Sequence, residues 1–216
     1  KSSSAILDQL SVCPNGSFDV APFVSRKCKA PIVQIQSAID GSVCPEQLHK
    51  LGIIRSHLNA IYECKSNLES LICSLSDKFR TQVELVSSVP GIQFFSAVSV
   101  ISEIGVDMSV FPTAKHLCSW AGLVPQNNES AGKKKTTRIS RSGAYLKPLL
   151  VQCALTVCNS SKHPEIQHRY LMLKKRRGHK KAIIAICRML LTAIYAILKT
   201  ATPYNPFLYR SHCSAP

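Results

Sequence analysis

The residues best suited to chemistry lie in one stretch, Gly122 to Gly143. Five cations, Lys133, Lys134, Lys135, Arg138 and Arg141, stand there beside small hydroxyl side chains and Gly132. That combination lets a phosphate backbone approach closely and meet charge when it arrives. Pro125, Gly132 and Gly143 punctuate the stretch, and Asn127, Asn128, Ser130, Ser140 and Ser142 compete with helix for backbone hydrogen bonds. An exposed loop or loose hairpin is therefore expected. A plain solvated basic loop fits the same residues, and the stretch alone does not choose between the two readings.

The charge of the whole chain bears on that choice. Its 216 residues carry a formal net charge of +15, and 45% of them are hydrophobic, enough for one or two globular units with a real core. From Lys133 to Lys181 there are 14 Lys and Arg and one acid, Glu165, a balance of +13. A second knot of charge lies inside this window: Lys174, Lys175, Arg176, Arg177, Lys180 and Lys181. Clustering of this kind favours a nucleic-acid partner over a generally basic surface.

The ten cysteines include no Cys-x-x-Cys pair, so zinc binding through them is not expected. Cys73, Cys118, Cys153 and Cys187 fall among apolar residues and read as reduced, buried thiols of a cytoplasmic protein. The chain opens Lys-Ser-Ser-Ser, with neither Met nor the apolar run of a signal peptide, and reads as a piece of a longer protein. Its most apolar segment, Ala182 to Leu198, contains Arg188 and falls short of a membrane span. A buried helix is expected there.

The elements that must position the basic residues are helical. Residues 1–45 read as an irregular arm with short helices near Ser4–Leu10 and Val33–Ile39, interrupted at Cys13-Pro14-Asn15-Gly16, Pro22 and Pro31. Apolar residues from Leu48 to Phe79 recur at steps of three and four, which predicts one long helix over 46–86. Two heptad steps allow a coiled-coil arm through which the chain self-associates, or an ordinary amphipathic helix. Pro90-Gly91 then makes a tight turn before an apolar helix that stops at Gly105. Helix, Pro-Gly-Ile, helix resembles a helix-hairpin-helix, in which Gly91 would let a phosphate approach; a plain helical hairpin fits as well. Further helices are expected over Ala114–Ala121 with Trp120 as core anchor, Ala144–Cys158 with Tyr145 and Leu146 on its buried face, His163–Arg177, and His179–Thr200. The fold class is all-α, with any strand confined to Val124–Ile139. The expected parts are the arm, the long helix, a compact domain over 87–207 and a tail over 208–216.

Familiar catalytic signatures are missing. No Walker loop, nucleophile elbow or His-Glu-x-x-His motif occurs, and the seven histidines make no ligand-like spacing. Glu103 and Asp107 read as helix-capping and turn acids rather than a cation site. No metal site and no cofactor are expected within these residues.

From Val89 onward a series of motifs occurs in order: Val-Pro-Gly-Ile, Glu-Ile-Gly, Phe-Pro-Thr-Ala-Lys, Trp-Ala-Gly-Leu-Val-Pro, Ser-Ala-Gly-Lys, Ile-Ser-Arg-Ser-Gly-Ala-Tyr-Leu, and Lys-Lys-Arg-Arg-Gly-His-Lys-Lys-Ala-Ile-Ile. Over residues 87–207 the chain resembles the C-terminal domain of the IS-one-ten family of insertion-sequence transposases, kin to the Piv-type DNA invertases. The resemblance implies a recombinase that also has a RuvC-like domain with an acidic, magnesium-binding tetrad, a coiled coil, and a serine that forms a phosphoserine link to DNA. It also implies guidance by a structured, bridge-type RNA. The serine falls at Ser130, in Glu129-Ser130-Ala131-Gly132-Lys133, where Ala131 and Glu129 depart from the commoner glycine and neutral residue. The acidic tetrad has no counterpart, and residues 1–10 resemble at most the frayed end of that domain. The chain alone is therefore expected to bind DNA without cutting it. A non-catalytic nucleic-acid-binding module is the alternative.

Overall fold

The computed structural model describes residues 2–14, 18–125, 128–130, 133–136, 139 and 142–206, with the backbone alone for 128–130 and 133–136. Nine α-helices and one two-stranded sheet are present among these residues. The chain divides into two compact units, Lys1–Cys73 and Ser74–Pro216.

The first unit contains α1 (Ser2–Val12), α2 (Ile32–Ile39) and most of α3 (Pro45–Ser76). Its irregular segments are tied by side chains rather than by a large core. The Gln36 amide accepts from the Val20 N–H at 3.1 Å and donates to the Phe18 carbonyl at 3.1 Å. Arg55 of α3 pairs with Asp8 of α1. Only Ile6 and Val20 among its described apolar side chains are buried. The first turn of α3 bears Glu46, and hydrogen bonds from its own backbone N–H and from Cys44 hold its carboxyl below the usual range.

The long helix ends ten residues earlier than the spacing predicts. α3 stops at Ser76, a 3₁₀ turn takes Asp77–Phe79, and α4 runs Arg80–Ser87. The apolar period does not distinguish the two helices, but their surroundings do. Val83 and Val86 of α4 are buried in the second unit's core, whereas α3 buries only Ser76.

That core is built on α9 (His179–Thr200). Ten of its residues are buried, among them Ile183, Ile186, Cys187, Leu190, Leu191, Ile194 and Ile197 at helical spacing. α4, α6 (Ala114–Trp120), α7 (Leu146–Cys158) and α8 (Pro164–Arg177) pack on it, and α5 (Phe94–Ile104) packs on α4 and α7. Length and composition would let α9 cross a membrane, but its apolar face is committed to this core. The Tyr195 hydroxyl donates to the Phe111 carbonyl at 3.0 Å, pinning α9 to the segment before α6. Gly105, at φ 71°, ends α5, and the Asp107 carboxylate accepts from the Ser109 N–H at 2.8 Å.

Three side chains depart from expectation. Trp120 is half exposed and meets Phe111 edge-on at 5.8 Å, because α6 turns Leu117 and Cys118 inward instead. Tyr145 is 78% exposed: α7 begins at Leu146, so Tyr145 precedes the helix face it was expected to join. Cys73 is exposed on α3, while Cys118, Cys153 and Cys187 are buried. The turn expected at Asn15-Gly16 and the 208–216 tail lie outside the described residues.

Candidate nucleic-acid interface

The basic stretch leaves the core and returns to it at one point. Gly122, at φ 66°, follows buried Ala121, and Gly143, at φ 69°, precedes α7. A Cβ on Gly122 would lie 2.6 Å from the Ser142 carbonyl oxygen, and one on Gly143 would fall on the Ala121 carbonyl. Two backbones approach here more closely than any side chain permits, and both are in the left-handed region. The neck is anchored below by the Leu123 N–H, which donates to the Cys118 carbonyl at 2.9 Å, and by Leu123 itself, which is buried.

Above the neck the chain forms an antiparallel excursion. Pro125 bridges Ile139, and β1 (Asn128–Ser130) pairs with β2 (Lys133–Thr136). The register sets Asn128 against Thr136, Glu129 against Lys134 and Ser130 against Lys133, with a bulge between Asn128 and Glu129. The expected loose hairpin is thus present, and its backbone brings Ser130 together with the lysine run. The side chains of Ser130, Lys133, Lys134 and Lys135, including the expected exposure of Ser130, lie outside the described residues, as do Arg138 and Arg141 altogether.

The neck also holds a cation that motif reading passed over. Lys147, in the first turn of α7, places Nζ 2.8 Å from the position a Gly122 Cβ would take, and its N–H donates to the Gly143 carbonyl at 3.0 Å. Burial there pushes its pKa down. The signal available in sequence was its place four residues after Gly143, one helical turn on.

The second basic knot is an elbow. α8 ends in Lys174, Lys175, Arg176 and Arg177, Gly178 turns the chain at φ 81°, and α9 opens with His179, Lys180 and Lys181. All of these residues are exposed. Cations suit the C-terminus of α8 but oppose the dipole at the N-terminus of α9, so folding alone does not explain the second set. The elbow is braced by a 2.8 Å hydrogen bond between the Tyr170 hydroxyl and His179 Nδ1, with the Lys174 ammonium 5.7 Å from the Tyr170 ring centre. Tyr170 is buried, so the brace reaches from the core to the charged surface.

Gly91 has a packing reason of its own. At φ 82°, its Cβ would lie 2.6 Å from the Cys153 carbonyl oxygen of α7. Beside it opens a cleft of about 400 Å³ lined by Gln93, Ser96, Gln152, Thr156, Lys162 and His163. No group of three or more His, Cys, Asp or Glu positioned to hold a metal occurs among the described residues.

The second unit thus holds two concentrations of basic residues, one on a hairpin with a pinched neck and one at a braced elbow. Residues 83–171 match the model of the Transposase IS116/IS110/IS902 family. The chain is 30% identical over 156 residues to the pilin gene-inverting protein of Moraxella bovis, covering 70% of this chain and 47% of that one. It is 27% identical over 158 residues to the transposase for insertion sequence element IS1111A of Coxiella burnetii, covering 68% and 43%. An uncharacterized 43.6 kDa protein of insertion element IS110 in Streptomyces coelicolor is 27% identical over 155 residues, covering 70% and 37%. Residues 83–171 are therefore a domain of the Transposase IS116/IS110/IS902 family, and the chain spans less than half the length of the relatives it matches.

Proposed function

We propose that this chain is the serine-bearing, DNA-gripping part of a transposase or recombinase. The observation that carries the reading is the hairpin register, which sets Ser130 directly across from Lys133 on a structure whose neck is fixed by Gly122 and Gly143. In this reading the hairpin is laid against a DNA backbone. The Ser130 hydroxyl oxygen attacks the scissile phosphorus, an Oγ–P bond forms, and the P–O bond to one strand breaks. The serine proton passes to water, and the departing strand oxygen leaves as a hydroxyl after taking up a proton. Lys133, Lys134, Lys135, Arg138 and Arg141 offset charge on the phosphate. Lys174, Lys175, Arg176, Arg177, Lys180 and Lys181 hold flanking duplex or a structured, bridge-type RNA. α3 joins copies of the chain.

The test combines the chain with a RuvC-like domain, magnesium and the element's RNA, and looks for a covalent protein–DNA species. Expected is a covalent species with the parent chain and none with Ser130→Ala. Equal yield from both overturns the assignment of Ser130. The chain by itself is expected to bind DNA and not to cut it.

A second reading rests on the cleft beside Gly91. There Lys162 and the N-terminal turn of α5 flank a glycine turn, as a binding module of the helix-hairpin-helix kind would require. Loss of DNA affinity in Lys162→Gln, with no effect of changes in the 133–135 run, would favour it.

A further inference from the structure

α3 carries a seam that its own unit leaves open. Leu51, Ile54, Leu58, Ile61, Lys65, Leu68, Ile72 and Leu75 follow alternating steps of three and four without interruption. These are the a and d positions of a heptad repeat, with Leu51, Leu58, Lys65 and Ile72 at a and Ile54, Ile61, Leu68 and Leu75 at d. From Ile54 to Leu75 the apolar members are between 37% and 64% exposed. A 32-residue helix that buries only Ser76 lacks the tertiary packing that normally supports one.

We infer that the seam is filled by α3 of a second copy of this chain, running antiparallel and centred beside Glu63. The inference rests on the self-association proposed above and goes beyond it by fixing direction and register. Lys65 supplies the argument, as the one charged residue in the seam. A parallel, in-register pair sets Lys65 against the partner's Lys65 in the same core layer, two like charges with no acid between them. An antiparallel pair sets a against d, and one register matches like with like in every layer except the two that hold Lys65. Leu51 meets the partner's Leu75, Ile54 the partner's Ile72, Leu58 the partner's Leu68, and Ile61 the partner's Lys65. Leucine meets leucine and isoleucine meets isoleucine, and the two lysines occupy different layers. The Lys65 ammonium already lies 3.5 Å from Glu69 one turn on, an exposed contact that lets the lysine stem fill the layer while its head stays in water. Sliding the partner by a heptad one way leaves Ile72 and Leu75 opposite Gln47 and Cys44, and the other way leaves Leu51 and Ile54 beyond the end of the partner's α3, so pattern and helix length together specify the register.

The geometry makes two cysteines into rulers. Cys64 and Cys73 are both exposed on α3. Cys64 flanks the two-fold axis, and side chains on a helix lean toward its N-terminus, so in this register the two Cys64 side chains lean toward each other. Cys73 lies at the level of the partner's Ile53, twenty residues from the partner's Cys73, a separation of about 30 Å along the helix.

The experiment uses the full chain with Cys13, Cys28, Cys44 and Cys213 replaced by serine and a nitroxide placed on Cys64 or on Cys73 in turn. Expected is a dimer by sedimentation, strong dipolar broadening for the Cys64 pair, and a distance of about 30 Å for the Cys73 pair. Short distances for both pairs, in a dimer, overturn the antiparallel arrangement while leaving self-association standing. A monomer at every concentration overturns both. Lys65→Leu gives a second readout, since it preserves helicity and fills the layer. Dimer dissociation about tenfold weaker than that of the parent is expected, and an unchanged constant removes Lys65 from the seam and with it the argument.

Discussion

Gly143 rests against the Ala121 carbonyl so closely that no side chain fits between them. Gly105 has nearly the same φ, 71° against 69°, but open space where its Cβ would be. The pair separates backbone strain from steric exclusion. Gly105→Ala is expected to cost about 1–3 kcal/mol from backbone strain alone, since φ 71° with ψ −174° is a conformation essentially reserved for glycine. Gly143→Ala adds a clash with backbone that cannot move aside, and should cost about 1–3 kcal/mol more than Gly105→Ala. It should also weaken DNA binding, because it spreads the neck of the hairpin. Urea unfolding of the two variants checks the order, and a Gly143→Ala no worse than Gly105→Ala would contradict the pinched neck.

Four cysteines sit in the core and the structure makes them poor nucleophiles. Burial pushes the Cys187 thiol up to about 12 and the Cys158 thiol up to about 11, and it raises Cys118 and Cys153 as well. The protonated form is the one the fold favours. Stability from these thiols is therefore fully present below their ordinary pKa of 9.0 and is lost as pH rises toward 11 and 12. A thiol reagent at neutral pH should label exposed Cys28, Cys44, Cys64 and Cys73 quickly, and the buried four only on unfolding. Fast labelling of Cys187 in the folded chain would show that α9 is not the core helix.

Much of this arrangement was legible in the sequence. α8 and α9 begin and end where His163-Pro164, Gly178 and the apolar period put them. The stop at Gly105 and the hairpin between Val124 and Ile139 follow from glycine and turn chemistry. What was not legible depends on neighbours that sequence does not supply. The three- and four-residue spacing runs from Leu51 to Phe79, with Lys65 its one charged member, so nothing local announces the 3₁₀ turn at Asp77–Phe79. Trp120 and Tyr145 are apolar enough to be core residues, and only the packing of Leu117 and Leu146 shows that the inward positions were taken. At the candidate site, the lysines and Ser130 could be named from composition and resemblance. The neck that positions them could not, because it joins Ala121 to Gly143 across the whole stretch.

Tyr195 reports on how firmly α9 is held. Its hydroxyl is bonded to the Phe111 carbonyl at 3.0 Å, and the residue is buried. Tyr195→Phe keeps the ring and leaves the carbonyl without that donor, which should cost about 1–2 kcal/mol. Leu190→Ala, in the middle of the same helix, removes a fully buried side chain and should cost about 2–5 kcal/mol. Thermal or urea unfolding measures both. Leu190→Ala milder than Tyr195→Phe would move the centre of the core away from α9.

The elbow between α8 and α9 makes the sharpest electrostatic prediction. Lys180 and Lys181 stand in the first turn of α9, where their charge opposes the helix dipole. Replacing both with glutamine should leave the fold as stable as before, or slightly more so, while weakening DNA binding. The same replacement at Lys175 and Arg176, in the last turn of α8, removes a favourable dipole interaction and should weaken both. Exposed Lys27 and Lys29 of the first unit serve as the control, with an equal reduction of net charge and no expected change in binding. Binding measured across a salt series decides the matter, because each phosphate that is no longer neutralised lowers the slope of log affinity against log salt by about 0.9. If the control pair lowers the slope as much as Lys180 and Lys181 do, net charge rather than the elbow carries the binding.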